Sequence, residues 1–169
     1  MDVVVFADYH WFTVFDSTAS VDDMPTDPWD KSALTGLLCA PRVLMPTTWS
    51  RWGFVPVRLD VRQAAPTNPV AGSHVVEATL QCLSGHLSVS GWSVEERDEV
   101  PLPVGSYAVR VSWFGLPDHG NPIADQEMSA GERFNIEVWP ASPAPVQVIR
   151  QSPLWGNEAL RTLFSPLAE

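Results

Sequence analysis

Apolar and polar residues alternate in several short runs of this chain, and a period of two residues is typical of β-strands rather than helices. The clearest runs cover residues 55–61, 76–82, 107–113 and 134–138, with turn-forming residues between them. Sixteen prolines in 169 residues also disfavour a helical bundle, because proline lacks a backbone donor and clashes inside a helix. The sequence therefore predicts a mainly β protein, a single antiparallel β-sandwich domain.

Short helices are expected at two places, near residues 31–38 and 157–164. Pro41 follows the first of them and would prevent its continuation. We divide the chain into a β-sandwich domain at 1–141 and a C-terminal part at 142–169. The latter combines a Pro-rich spacer with the short second helix, packed on the same domain.

Three local features support more specific predictions. Residues 74–92 are predicted to form a β-hairpin around a turn at Gly85. The acidic run at 95–99 is predicted to be a solvated turn. Pro56 lies within an alternating strand and cannot donate to a ladder, so it predicts an edge position or a bulge.

The charge is strongly acidic and unevenly distributed. Twenty Asp and Glu against ten Lys and Arg give a formal net charge of −10, with a pI of about 4.7. Residues 1–30 contain seven Asp and no base, whereas residues 42–62 contain four Arg and one Asp, a local charge of +3. Because an acidic chain repels phosphate backbones, direct nucleic-acid binding is not expected.

The sequence also bears on compartment and cofactors. Its N-terminus, MDVVVFAD, lacks the positive region of a secretory signal, and no apolar run approaches the roughly 20 residues that span a bilayer. Cys39 and Cys82 are far apart and belong to no metal-ligand motif, so both are expected to be free thiols. We therefore expect a cytoplasmic protein without a membrane span, a cofactor or a metal.

Catalytic motifs are missing from the sequence. Neither a phosphate-binding glycine loop nor a GxSxG nucleophile motif occurs. Asp118-His119 is the best acid–imidazole pair, but no nucleophile accompanies it. A non-catalytic protein is therefore expected, and an enzyme that uses His119 is the least favoured of three hypotheses.

Eight tryptophans support a ligand-binding alternative. Trp29, Trp49 and Trp52 lie in segments rich in Pro, Thr, Ser or Arg and are expected to be exposed, where their rings could stack on a sugar or another small molecule. Trp113 lies on the apolar face of its strand and is expected in the core. Exposed tryptophans are also common at protein–protein hot spots, so they fit a protein partner equally well.

Several segments between residues 8 and 141 share their pattern with one family. The segment YHWFTVFD at 9–16 is rich in aromatic residues, LPVGSYAVRV at 102–111 joins a turn to a strand, and RFNIEVWPA at 133–141 is a strand ended by proline. Together with the strand at 53–61, these segments resemble the competence protein J family, inhibitors of a bacterial DNA-entry nuclease. The resemblance implies a small β-sandwich that binds a nuclease and blocks it.

We therefore expect a non-catalytic inhibitor or immunity protein that neutralises a cognate basic partner, a bacterial nuclease or toxin. Nucleases present basic clefts that bind phosphate, so an acidic inhibitor can act as a phosphate mimic and gain association rate from charge steering. For each acidic cluster, the alternative is an ordinary solvated loop. The candidate partner-binding residues are Asp22, Asp23, Asp27 and Asp30, then Glu95, Glu96, Asp98 and Glu99, and finally Asp118, Asp125 and Glu127.

Overall fold

A computed structural model describes residues 1–25, 35–91, 97–116 and 131–154, which form two β-sheets. A short 3₁₀ helix, Val21–Asp23, follows the second strand. Within the described residues the strands are β1 (Asp2–Ala7), β2 (Thr13–Asp16), β3 (Leu37–Ala40), β4 (Val43–Pro46), β5 (Gly53–Val61), β6 (His74–Cys82), β7 (His86–Ser90), β8 (Arg97–Pro101), β9 (Gly105–Phe114), β10 (Arg133–Pro140) and β11 (Gln147–Arg150).

The strands form a two-layer structure. The first sheet has six strands in the order β1-β5-β10-β9-β6-β11, and the second has five in the order β3-β4-β2-β7-β8. Neighbouring strands are antiparallel, apart from the parallel pair β5 and β10. This architecture confirms the predicted mainly β sandwich.

The core lies between the two sheets, where alternating strand positions direct their apolar side chains. Trp113 is fully buried, and its ring packs edge-on against Phe134 with centroids 5.6 Å apart. Phe134 in turn contacts Phe12 at 4.9 Å. The Trp113 indole N–H donates to the carbonyl of Thr47 over 2.8 Å, so its polar atom is paired. The prediction that Trp113 belongs to the core is confirmed.

The connection from β6 to β7 crosses between the sheets, so the predicted hairpin at 74–92 is wrong. β6 pairs with β9 and β11, whereas β7 pairs with β2 and β8. A buried carboxylate binds the amides of the crossing: Oδ2 of Asp16 accepts from the backbone N–H groups of Leu83 (2.6 Å) and Ser84 (2.7 Å). Alternation in the sequence did not reveal the crossing because a strand buries one face in either sheet.

The end of the first predicted helix is also corrected. Leu37 and Leu38 lie in β3, which pairs with β4, and both side chains are buried. Pro41 lies between the two strands and does not follow a helix. Residues 31–34 and the second predicted helix at 157–164 lie outside the described residues.

The acidic run at 95–99 is a strand where it is described, and not the predicted solvated turn. Arg97–Pro101 forms β8, the strand at one edge of the second sheet, and pairs with β7. Charged side chains are common on such edges because they discourage pairing with another chain.

Pro56 lies in an inner strand, contrary to the prediction of an edge or a bulge. β5 has β1 on one side and β10 on the other. The Leu59 N–H donates to the Met1 carbonyl, so odd-numbered residues direct their amides towards β1 and Pro56 faces β10. The β10 ladder begins only at Val57, so the missing donor of Pro56 removes no ladder bond.

The C-terminal described residues join the first sheet. β11 pairs with β6, with Val148 opposite Val76. Farther along, the backbone N–H of Ser152 donates to Nδ1 of the buried His74 over 3.2 Å. No helix among the described residues is long and apolar enough to cross a membrane.

Candidate protein-binding surfaces

Four of the predicted partner-binding carboxylates lie in the described part of the chain, and they fall on two segments. Asp22 and Asp23 belong to the 3₁₀ helix, and Asp98 and Glu99 belong to β8. The remaining predicted residues lie outside the described residues: Asp27, Asp30, Glu95, Glu96, Asp118, Asp125 and Glu127.

Asp23 is bound within the protein, whereas Asp22 is exposed. Oδ2 of Asp23 accepts from the backbone N–H of Ser20 over 2.8 Å and lies 3.2 Å from the Arg42 guanidinium. The Ser20 hydrogen bond, together with Arg42, lowers the pKa of the Asp23 carboxyl. Asp22 forms no ion pair with any described residue.

Asp16, which the sequence analysis did not single out, anchors this end of the sandwich. Its buried carboxylate accepts from the Thr18 hydroxyl (2.7 Å), from the Arg42 guanidinium and from the amides of Leu83 and Ser84. Burial alone would raise the pKa of Asp16, but the hydrogen bonds from Thr18, Arg42 and Ser84 outweigh burial and hold it well below its usual range. Arg42 is therefore held between Asp16 and Asp23.

On β8 as well, one carboxylate has partners within the protein and the other has no ion pair among the described residues. Glu99 lies 2.8 Å from Nε of Arg97 and accepts from the Ser88 hydroxyl over 3.1 Å. Asp98 is exposed and forms no ion pair with the residues that the structure describes. The Ser17 and Ser88 hydroxyl groups are 2.7 Å apart, so β8 and the segment after β2 are bridged through β7.

The predicted tryptophan platform is present only in part. Trp52 is 43% exposed, but Trp49 is only 2% exposed, so the prediction that Trp49 is exposed is wrong. Trp49 is drawn inside because its backbone N–H binds a buried carboxylate, described below. Trp29 lies outside the described residues.

A larger exposed apolar region, which the sequence analysis missed, covers one edge of the first sheet. The rings of Phe6 on β1 and Phe54 on β5 lie opposite each other with centroids 5.2 Å apart. Val4 and Pro56 form the next exposed pair along the same face. With Tyr9 and Trp52, these residues form what we call the aromatic surface: Val4, Phe6, Tyr9, Trp52, Phe54 and Pro56. The signal was β1 itself, where apolar residues occupy both alternating positions in VVVF.

A tight turn with unusual backbone conformation presents Tyr9. Asp8 and Trp11 pair across the turn, and Tyr9 and His10 between them have φ values of 49° and 72°. Residues other than glycine rarely adopt this left-handed region, and such conformations cluster at functional sites. The guanidinium of Arg51 lies 5.4 Å from the Tyr9 ring centroid and 5.3 Å from that of Trp52. Arg51 therefore stacks with both rings.

Glu132 fixes the loop that carries Arg51 and Trp52. Its buried carboxylate accepts from the backbone N–H groups of Trp49 (2.7 Å) and Ser50 (3.3 Å). Burial raises the pKa of Glu132 to about 7. The turn at Tyr9 and His10 is attached to the same loop, because the His10 amide donates to the Arg51 carbonyl over 3.0 Å.

The histidines and cysteines of the described part of the chain do not gather into a group that could hold a metal ion. His74 accepts from Ser152 at Nδ1 and therefore donates from Nε2 to the Thr35 carbonyl over 2.7 Å, as a neutral core residue. Burial lowers the pKa of His74 to about 4. Cys39 and Cys82 are free thiols, as predicted. No three potential ligands among His, Cys, Asp and Glu come together within the described residues, and Asp118-His119 lies outside them.

Two solved structures are similar to this one. The crystal structure of ComJ, inhibitor of the DNA degrading activity of NucA, from Bacillus subtilis, has a TM-score of 0.58 at 16% identity and covers 83% of this chain and 96% of its own. The structure of crocagin biosynthetic gene J has a TM-score of 0.54 at 20% identity, with the same coverage. No protein-family model matches the sequence, and no curated protein matches it significantly. The chain therefore has a ComJ-like fold, in agreement with the resemblance of its sequence to the competence protein J family.

Proposed function

We propose that this chain is a non-catalytic inhibitor or immunity protein that binds and neutralises a cognate bacterial nuclease or toxin. The observation that carries the proposal is the ComJ-like fold, which extends over 83% of the chain, because ComJ inhibits the DNA degrading activity of NucA. On this proposal the chain acts in the cytoplasm, where an immunity protein protects the cell that produces the toxin.

The net charge of −10 supports an electrostatic form of this proposal. A nuclease must attract a polyanion, so its cleft carries positive potential and attracts an acidic protein as well. Of the four candidate carboxylates that are described, Asp22 and Asp98 are the best suited to contact the cleft, because Asp23 and Glu99 have internal partners. The rest of the three acidic clusters belongs to the same proposal.

An inhibition assay tests the function directly. The purified chain is titrated into a DNA-degradation assay with the nuclease or toxin encoded beside its gene, and NucA from Bacillus subtilis serves as the non-cognate comparison. We expect loss of DNA degradation at a stoichiometric ratio and a complex that co-elutes in size-exclusion chromatography. Full nuclease activity with no complex at low salt would contradict the proposal.

The role of the acidic residues has its own control. Asp22→Asn and Asp98→Asn each remove one negative charge from the proposed contact, and Gln81→Lys changes the net charge equally at an exposed position on β6. We expect the two Asn variants to slow association and weaken its salt dependence more than Gln81→Lys does. Equal effects of all three would show that only the total charge matters.

A small-molecule or carbohydrate-binding sandwich is the alternative proposal. Trp52 retains the half-exposed ring that stacking on a sugar requires. A change of tryptophan fluorescence with one member of a glycan panel, lost in Trp52→Ala, would favour this alternative over the inhibitor.

A further inference from the structure

The aromatic surface has the size and composition of a protein-binding centre. Phe6, Tyr9, Trp52 and Phe54 are 45%, 51%, 43% and 59% exposed. Since a fully buried aromatic side chain covers about 150–250 Å², these four rings present on the order of 400 Å². The largest apolar patch of a monomeric protein typically covers about 300–600 Å² and is often functional, so an area of this size fits an interaction site.

Two arginines lie at the rim of the aromatic surface without an ion pair to a described residue, although Asp2 lies opposite Arg58 in the register of β1 and β5. Arg51 stacks between Tyr9 and Trp52, and Arg58 follows Pro56 on the exposed face of β5. Neither guanidinium forms an ion pair with a described residue. By contrast, four other arginines each contact at least one carboxylate: Arg42, Arg62, Arg97 and Arg110. Arg51 and Arg58 therefore have donors available for carboxylates of a partner.

The surface is also fixed before any partner arrives. The left-handed turn at Tyr9 and His10 is held by the Asp8–Trp11 pair, and Glu132 binds the amides beneath Arg51. A preorganised surface loses less side-chain and loop entropy on binding, which increases affinity. Strained backbone at an exposed aromatic residue is maintained because the surrounding structure imposes it.

We propose that the aromatic surface, rimmed by Arg51 and Arg58, is where the nuclease or toxin docks, through a patch of its own that places carboxylates beside apolar side chains. This proposal rests on the proposed inhibitor function. A standard interface covers about 800 Å² on each partner, so an apolar area on the order of 400 Å² forms its centre and the arginines form part of its rim.

The two proposed surfaces have separable roles. Tyr9 lies before β2 and Asp22 lies beyond its other end, so the aromatic surface and the 3₁₀ helix at Val21–Asp23 occupy opposite ends of that strand. The acidic residues then attract a basic target at long range, which affects the association rate. The aromatic surface holds the target once bound, and most affinity differences within one interface arise in the dissociation rate.

Binding kinetics with the target of the inhibition assay test this docking site. The nuclease or toxin is immobilised, and Arg51→Ala, Trp52→Ala and Phe54→Ala are compared with Leu83→Ala and Val104→Ala. The two controls remove exposed apolar side chains outside the aromatic surface. We expect Trp52→Ala and Phe54→Ala to dissociate at least about tenfold faster, with association changed much less, and the controls to match the wild type. Circular dichroism confirms that each variant is folded.

The outcomes distinguish the two proposals. If the wild type binds the target and the three surface variants bind it equally well, the docking site is wrong and the inhibitor function stands. If the wild type binds no nuclease or toxin, the inhibitor function fails, and the docking site fails with it. Binding of an oligothymidylate of about 20 nucleotides that is lost in Trp52→Ala and Phe54→Ala, with target binding unchanged, would assign the surface to single-stranded nucleic acid instead.

Discussion

The Glu132 carboxylate lies 2.7 Å from the backbone nitrogen of Trp49, although 83 residues separate the two in sequence. Its other oxygen lies 3.3 Å from the backbone nitrogen of Ser50. One buried side chain at the start of β10 therefore fixes the loop that carries Arg51 and Trp52. The charge state of Glu132 is thus coupled to the folding of the aromatic surface.

We expect Glu132 to make stability decrease as pH rises from about 4.5 to about 7. Burial raises the pKa of Glu132 from 4.5 to about 7, so between these values the unfolded chain releases this proton more readily than the folded chain does. The free energy of unfolding is therefore highest below this window and decreases by up to roughly 3 kcal/mol across it, because one pKa unit corresponds to about 1.4 kcal/mol. Urea unfolding of the wild type and of Glu132→Gln at about pH 5 and about pH 8 measures the effect.

The difference in unfolding free energy between wild type and Glu132→Gln should shift in favour of the variant at the higher pH. Taking this difference cancels the titration of other groups, His74 included. Asp98→Asn, at an exposed carboxylate, should show no comparable shift. A constant difference at both pH values would show that Glu132 does not titrate in this range.

Loss of the Asp16 carboxylate should destabilise the fold severely. Asp16→Ala leaves the Leu83 and Ser84 amides without their acceptor and removes a charge partner of Arg42. Removing one partner of a buried ion pair costs about 3–5 kcal/mol, whereas Asp22→Ala at an exposed site should cost less than about 0.5 kcal/mol. Denaturant unfolding of both variants measures this contrast, and similar losses would contradict the anchoring role of Asp16.

The same carboxylate should make the protein sensitive to acid. The pKa of Asp16 is depressed in the folded state, so its contribution to stability is present above the unfolded pKa of about 3.8 and is lost as pH falls further. Asp16→Asn should therefore lose less stability than the wild type between about pH 5 and about pH 3, measured by thermal unfolding.

The sequence identified the strands better than their partners, and Asp16 shows why. Alternation over 74–82 and 86–90 shows that each segment has a buried face, but the same pattern arises in a hairpin and in a crossing between sheets. The deciding contact is between Asp16 and the amides at 83–84, which lie 67 and 68 residues away in sequence. Local propensity carries no information about contacts at that separation.

The acidic character of the chain was evident from the sequence, but the aromatic surface was not. Charge is a property of single residues, so Asp22 and Asp98 could be named directly. The surface depends on β1 and β5 pairing in a register that places Phe6 opposite Phe54. Trp49 shows the opposite error: its polar neighbours suggested exposure, but the hydrogen bond of its amide to Glu132 holds the segment inside.

His74 should weaken the fold as pH decreases. Burial lowers the pKa of His74 to about 4 from 6.5, so its contribution to stability is complete above about pH 6.5 and decreases by up to roughly 3 kcal/mol towards pH 4. His74→Asn retains an acceptor for the Ser152 amide and removes the titration. In unfolding titrations between these pH values we expect a flatter profile for His74→Asn than for the wild type, with His86→Asn as the comparison at an exposed histidine. Profiles equally steep in all three proteins would contradict this assignment.

Both cysteines should be unreactive in the folded protein. Burial raises the pKa of Cys39 to about 12, and burial raises that of Cys82 as well, so little thiolate is present near neutral pH. A chromogenic disulfide reagent should therefore modify the native protein slowly and both thiols rapidly after denaturation. Rapid modification of the native protein would show that the site of Cys39 or Cys82 opens readily.

Gly91→Ala should displace β1 and the aromatic surface with it. A Cβ at position 91 would lie closer to the carbonyl oxygen of Phe6 than real Cβ atoms ever do, and the obstacle is backbone, which no rotamer change removes. We expect a loss of about 1–3 kcal/mol in denaturant unfolding, the usual cost of overpacking. Gly105→Ala, where the new Cβ would make only ordinary contact with the Tyr107 ring, should change stability by less than about 0.5 kcal/mol. Because β1 carries Phe6 of the aromatic surface, Gly91→Ala should also speed dissociation of the target protein. Unchanged stability with unchanged dissociation would mean that β1 and the end of β7 are not packed as closely as the structure shows.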